Sequence, residues 1–421
     1  MQNQQKQIVL ICDIGGTNVR FGLYTEGEGE KVNFDAKYKC DQFTSFEQAV
    51  SYYLSTQNKQ PTLCVIGAAG NIDEYNGEVL TTNTPWKASA PKLKAQFPFF
   101  RHIRLVNDFA LQGWALGELT PEQYRPIFRK ENSSDFSQGQ VVIIGPGTGL
   151  GTCLILQNGK HPQTIYTSEA GHSTLPYIEF SNEVDNEDNR KLLRILNEHY
   201  AQRGTKPVME HIVSGTGITN VYHAFRDGFI PTQKSQRVSS EEIETLANRG
   251  DVIALKTFKF FNAYLGAHTG SMASTTKAQN VFFCGGLMSS PYVLHLLEES
   301  EDFKQQFINR AGMTDAMKNV QFSASCYRDM ATLGLVVRSK HLIETTKSEE
   351  EKKQANYDIV MSLAIMQAFI ETNCPEVRPY MKKVERAIER FKDAQTKEIH
   401  PKKIKTKRRK TKKRSQGRSR Q

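Results

Sequence analysis

Short apolar runs broken by glycine-rich polar turns set the pattern of this chain. Ile8-Val9-Leu10-Ile11 runs into Asp13-Ile14-Gly15-Gly16-Thr17-Asn18 and leaves through Val19 to Tyr24. Val141-Val142-Ile143-Ile144 runs into Gly145-Pro146-Gly147-Thr148-Gly149 and leaves through Leu150 to Leu156. Each reads as strand, tight turn, strand, because glycine accepts positive φ and lets backbone amides approach an anion closely. Two such turns in one chain, each holding a threonine and one preceded by an acid, point to two domains gripping one polyphosphate.

Between and beyond the turns the pattern predicts alternating strands and helices. Pro61 to Ala69 and His102-Ile103-Arg104-Leu105-Val106 read as buried strands, and Phe109 to Leu116 turns helical, with Phe109, Trp114 and Leu116 as apolar positions. Further helices are expected around Lys191–Arg203, Glu210–Phe225, Ser240–Arg249 and Val252–Leu265, with a strand at Val281-Phe282-Phe283. Toward the end, Glu349 to Glu371 reads as a helix with acids at its start, as the helix dipole favours. Pro375 and Pro379 break it, and Tyr380, Val384, Ala387, Ile388 and Phe391 recur at helical spacing in a second helix.

Composition narrows the class without changing this picture. A chain of 421 residues has room for two domains with substantial cores, and 38% hydrophobic with 24% charged residues is ordinary for a soluble protein. The longest charge-free apolar stretch, Ile359 to Ile370, is too short to span a bilayer and holds Ser362 and Gln367, so no membrane segment is expected. The polar start lacks the apolar core of a signal peptide. Seven cysteines without CxxC spacing argue for reduced thiols and a cytoplasmic setting. The net charge of +10 is local: residues 399–421 hold twelve Lys or Arg and no acid, leaving 43 basic against 45 acidic side chains elsewhere. The tail at 398–421 is expected to be disordered. Any weak polyanion binding by it is electrostatic and indifferent to sequence, since no aromatics are interleaved.

Six ordered stretches carry chemistry: Asp13-Ile-Gly-Gly-Thr-Asn-Val-Arg20, Val106-Asn-Asp-Phe109, Gly145-Pro-Gly-Thr-Gly-Leu-Gly151, Glu169-Ala-Gly-His172, Glu210-His-Ile-Val-Ser-Gly-Thr-Gly217 and Cys284-Gly-Gly-Leu287. In this order and spacing, from about residue 8 to 340, they resemble the bacterial-type glucokinases, within the hexokinase-like sugar kinases of the actin-like ATPase superfamily. The resemblance implies an α/β, two-domain, ribonuclease H-like fold with a ligand cleft between a small and a large domain. The small domain would hold residues 1–110 with a returning helix at about 329–345, and the large domain 111–328. An extra helical segment at 346–397 and the basic tail lie outside the resemblance.

The resemblance also assigns roles. Asp108 would be the general base that takes the proton of a primary hydroxyl, although an Asx before an apolar helix is also a common N-cap. Asn107, Glu169, His172 and Glu210 would join Asp108 on the sugar hydroxyls. Gly15, Gly16, Thr17 and Asn18, together with Gly147, Thr148 and Gly149, would hold ATP phosphates. Gly285 and Gly286 would make room on the adenosine side. Asp13 would act on Mg²⁺ through water, since a hard cation prefers oxygen ligands. A homodimer is implied as well. Two departures bear on selectivity: the family usually has glycine beside the acid, where this chain has Ser168 before Glu169 and Ala170 after it, and Ser-Gly-Thr-Gly replaces Ser-Gly-Pro-Gly. Without a Cys-x-Cys-Gly cluster after His172, the zinc-containing related branch is disfavoured. The expected activity is ATP-dependent phosphorylation of D-glucose. The alternatives are another hexose or amino sugar as substrate, or a sugar-sensing regulator with a nucleic-acid-binding tail.

Overall fold

The first glycine turn joins β1 (Ile8–Ile14) to β2 (Asn18–Thr25), antiparallel, with Asp13 directly opposite Arg20. β3 (Ala36–Lys39) continues the meander along β2. Then α1 (Phe46–Ser55), opened by Ser45 whose hydroxyl accepts from the Gln48 amide, leads to β4 (Leu63–Ala68). β4 lies parallel to β1 and is buried at every residue, which is why it reads as an unbroken apolar run. A small hairpin, β5 (Asn71–Asp73) with β6 (Glu78–Leu80), and α2 (Ala90–Gln96) precede β7 (His102–Asn107), parallel to β4. The sheet order is β3-β2-β1-β4-β7. This computed structural model describes residues 6–29, 34–73, 77–80, 86–128, 138–158, 162–327 and 329–373.

After α3 (Asp108–Leu116) and β8 (Tyr124–Ile127), the same plan is laid down again. β9 (Gln138–Pro146), β10 (Leu150–Asn158) and β11 (Pro162–Ser168) form an antiparallel meander. β12 (Asn280–Phe283) runs parallel to β9, and β13 (Gln321–Ser325) runs parallel to β12. The order is β11-β10-β9-β12-β13-β8, so both sheets place their third, second, first, fourth and fifth strands alike, with β8 added at one edge.

The second half carries more helix. α4 (Glu183–Ala201), α5 (Gly215–Arg226), α6 (Ser240–Asn248) and α7 (Val252–Thr276) start at Asn182, Ser214, Ser239 and Asp251, each accepting a hydrogen bond from a backbone amide three residues on. α7 is buried along its middle, through Phe258, Phe260, Phe261 and Tyr264 among others. α8 (Pro291–Glu298), α9 (Glu301–Ile308) and α10 (Thr314–Lys318) cover the approach to β13. Three expectations shift here. α4 begins eight residues before Lys191, because Asn182 rather than the apolar pattern sets its start. α7 runs well past Leu265. Glu210 lies on a short 3₁₀ turn, Met209–His211, and α5 starts only at Gly215, since Ser214 caps it.

α3 ties the two sheets together. Its Leu111 fills the space that Gly67 leaves on β4, where a methyl group would come within 2.6 Å of the Leu111 side chain. Its Gly113 faces Ile155 of β10 and Ile165 of β11. The last helix, α11 (Met330–Asn373), crosses α3 at Gly334, where any side chain would collide with the Leu111 carbonyl. The chain falls into two compact units, Met1–Ile343 and Glu344–Gln421. The expected helix at Glu349–Glu371 is part of α11. The proline break, the second helix and the basic tail lie outside the described residues.

Candidate active site

The end of β7 delivers the pair predicted to do the chemistry. Asn107, not Asp108, is the N-cap of α3: its carboxamide oxygen accepts from the Phe109 and Ala110 amides at 2.8 and 3.2 Å, and its nitrogen donates to the Gly70 carbonyl at 2.9 Å. With the cap supplied by Asn107, Asp108 stands at the first helical position. Burial pushes the Asp108 carboxyl up to about 6, the nearby charges of Asp13 and Glu169 add to this, and the Phe109 amide partly offsets it. A carboxylate of that basicity suits proton abstraction near neutral pH.

Phe109 is a site residue that the apolar pattern alone places only on a helix face. Its ring lies against Gly145 and Gly151 on either side of the second hairpin. A methyl group on Gly145 would come within 2.6 Å of the ring, and one on Gly151 would overlap it. The residue after the base is therefore keyed into the strands that flank the Gly147-Thr148-Gly149 turn. Two glycines opposite each other on antiparallel strands, Gly145 and Gly151, were the available signal.

The second hairpin also organises the carboxylate cluster. Gly149 leaves room for Glu210, whose Oε2 would stand 2.7 Å from a methyl group there and accepts weakly from the Leu150 amide at 3.4 Å. His172 lies between the acids, 3.7 Å from Glu210 and 3.8 Å from Glu169. The Glu210 side chain is 25% exposed and that of Glu169 is 69% exposed, so Glu210 is held by the protein and Glu169 faces the opening. Glu169 and His172 reach the same side because Ala170–His172 forms one 3₁₀ turn, with Gly171 pressed on the Leu150 carbonyl.

Around the turn itself, the Gly147 amide bonds the Gly149 carbonyl at 2.8 Å, the Gly215 amide bonds the Gly147 carbonyl at 2.8 Å, and the Thr216 hydroxyl bonds the Thr148 carbonyl at 2.9 Å. The start of α5 thus fixes the phosphate-type turn, which gives Ser214-Gly-Thr-Gly217 a scaffolding part. Gly285 adopts φ +90° and packs on the Pro146 carbonyl, a conformation that favours glycine. Gly286 starts the next 3₁₀ turn with open space around it. One expectation is corrected: Gly15, Gly147 and Gly149 do not have positive φ. Gly149 serves by making room, and Gly147 by leaving open space at the turn.

In the first hairpin, Asp13 is clamped by Arg20, whose Nε donates at 2.8 Å and whose second nitrogen lies 2.6 Å away. The Gly15 amide bonds the Asn18 carbonyl, and the Thr17 carbonyl accepts from the Cys40 amide, both at 2.9 Å, so Gly15 to Asn18 hold a fixed turn. The two hairpins sit on different sheets. The described link between the halves at this site is the field of Asp13 and Glu169 on Asp108, together with the Phe109 ring.

A doubled sheet plan, with glycine hairpins at equivalent places and a base-bearing helix joining the sheets, defines a sugar kinase of the actin-like ATPase fold. The chain belongs to the glucokinase family: the family model Glucokinase matches residues 10–341. A glucokinase of Caulobacter sp. (strain K31) is 30% identical over 332 residues, covering 78% of this chain and 94% of that protein. The crystal structure of a glucokinase from an Antarctic psychrotroph is 26% identical, with a TM-score of 0.61 over 79% of this chain and 98% of that one. A glucokinase from Balamuthia mandrillaris in complex with glucose shares the fold at 16% identity, with a TM-score of 0.67 over 81% and 95% of the two chains. The chain is accordingly an enzyme, a glucose-phosphorylating kinase.

Proposed function

We propose that this chain transfers the γ-phosphoryl group of ATP to the 6-hydroxyl of D-glucose with Asp108 as general base. The observation that carries this is a largely buried carboxyl at the start of α3 whose protonation falls near pH 6, flanked by hydrogen-bonding side chains suited to a polyol. The Asp108 carboxylate takes the proton from the sugar O6 while the O6–Pγ bond forms and the bond from Pγ to the β,γ-bridging oxygen breaks. Glucose 6-phosphate and ADP leave, and the proton passes from Asp108 to solvent. Asn107, Glu169, His172 and Glu210 orient the hydroxyls. Residues 15–18 and 147–149 hold phosphate oxygens, and Gly285-Gly286 makes room for the nucleoside.

Asp13 offers the hard oxygen donor that Mg²⁺ requires, and among the described residues no group of three metal-ligating side chains forms a cage. That suits an ion bound mostly by phosphates and water, which Asp13 would hold on the protein side. When bound, Mg²⁺ neutralises charge on the transferring phosphates.

Residues 1–110 with the helix at 329–345, and residues 111–328, act as two domains that close on the sugar and exclude water. The protein works as a homodimer in the cytoplasm. Among the described residues no helix is long and apolar enough to cross a membrane. An ADP-release assay across a panel of sugars tests the reading: glucose should give the highest kcat/KM, and a preference for mannose or glucosamine would overturn glucose as the substrate.

A further inference from the structure

A cavity of about 850 Å³ lies between the edge strands of the two sheets, β7 and β11, with α3 and α11 contributing to its wall. It is separate from the carboxylate cluster. Asp108, Glu169, His172 and Glu210 do not line it, and only Asn107 is shared.

Among the described residues its charged lining is one-sided. Lys94, Arg101, Arg104, Arg338 and His341 line it, and no Asp or Glu does among the described residues. Arg338 lies with its guanidinium 4.8 Å over the Trp114 ring, and that ring is 5.1 Å from His341. No carboxylate among the described residues pairs with Arg338 or Arg104. Burial, with the like charge of Arg104 nearby, pulls Arg338 down to about 10. Two guanidinium groups lining one half-enclosed space repel each other, and Arg338 also loses water, which is unfavourable unless an anion enters. The volume falls in the range of small-molecule sites, and Trp114 gives an apolar wall beside the cations.

We infer that the cavity between β7 and β11 is a second binding site, taken by a small phosphoryl anion that bridges Arg104 and Arg338. Arginine forks match phosphate oxygens in pairs, and Trp114 fits the organic body of a phosphate ester. β7 ends in Asn107, the cap of the base-bearing helix, and β11 runs into Glu169. An anion between these strands therefore bears on the sugar site through Asn107, which lines the cavity, and through the two strands.

The test uses the full-length chain carrying Trp86→Phe, so that Trp114 is the single tryptophan and is excited selectively over the tyrosines, without glucose or ATP. Inorganic phosphate, glucose 6-phosphate and tripolyphosphate are titrated separately. At least one should change the fluorescence saturably. In the Arg104→Gln variant, whose exposed side chain can be lost without unfolding, that Kd should rise about tenfold, the usual weight of a charged hydrogen bond. Both proteins carry the same basic tail, so its contribution cancels. Response to glucose 6-phosphate alone identifies a phosphate ester as ligand, and response to tripolyphosphate alone a condensed phosphate. Superimposable titrations of the two proteins, or no saturable change with any probe, would overturn the proposal. Arg338→Gln, checked by its melting temperature, should weaken the same probe, and unchanged binding in a folded Arg338→Gln protein would also overturn it.

Discussion

The two glycine hairpins occupy equivalent places in two equivalent sheets, yet they do different work. The first delivers charge: Asp13 at the end of β1 is locked by Arg20 directly across the turn and projects its field onto Asp108. The second delivers room: Gly145 and Gly151 admit the Phe109 ring, and Gly149 admits Glu210. A duplicated backbone plan thus supports an asymmetric site, with the catalytic acids on one side and the shaped cradle on the other. If this division is right, substitutions in the two regions should fail in different ways.

The largest effect belongs to the charged side. Asp108→Asn should lower kcat by on the order of 10²–10⁴-fold while glucose still binds, because the amide keeps the shape and cannot take the proton. Near wild-type turnover at saturating glucose and ATP would remove Asp108 from the mechanism.

Next come the carboxylates that the cradle holds. Glu210→Gln and Glu169→Gln should raise KM for glucose by about 10- to 100-fold, as loss of a charged hydrogen bond does, with KM for ATP nearly unchanged. Glu210 should cost more, being the less exposed of the two. Thr148→Val should invert the pattern, raising KM for ATP and sparing glucose. Equal effects on both substrates would mean that the hairpin is structural and that the division of the site is wrong.

The cradle itself predicts a packing signature. Gly151→Ala pushes a methyl group into the Phe109 ring and should destabilise the protein by about 1–3 kcal/mol, with a fall in kcat because Asp108 is the ring's neighbour. Combining it with Phe109→Ala should recover part of the melting temperature lost in Gly151→Ala, since the colliding partner is gone. Strict additivity of the two changes would show that the ring and the glycine do not meet.

How far this was legible follows from the kind of contact involved. Both hairpins, the Asn107-Asp108 pair and the pairing of Asp13 with Arg20 lie within short stretches, and a tight antiparallel turn fixes their register. The collision space around Phe109 depends on where α3 crosses β9 and β10, a long-range fact that no local pattern encodes. The same holds for Gly334 against Leu111, and for the facing of β7 and β11 that brings Arg104 and Arg338 to one cavity. Local rules also misassigned Glu210 to a helix, because its apolar followers satisfy helical spacing while Ser214 defers the helix by one turn.

The smallest effect is a shift along the pH axis, and it reads the charged side directly. In the free enzyme, kcat/KM should fall on the acid side with a midpoint near pH 6, where the Asp108 carboxylate becomes protonated. Burial is the main cause of that midpoint and should survive most substitutions, whereas the contribution of Asp13 is removable. Asp13→Asn should therefore move the acid limb downward, whatever it does to the plateau. Stability carries the opposite sign: a carboxyl raised in the folded state favours folding most below the ordinary aspartate range, and this advantage is lost as pH rises through about 6. Asp108→Asn should flatten that part of the melting-temperature profile. An acid limb that stays in place in Asp13→Asn would mean that the first hairpin does not act on the base through its charge, and the contrast between the two hairpins would reduce to packing alone.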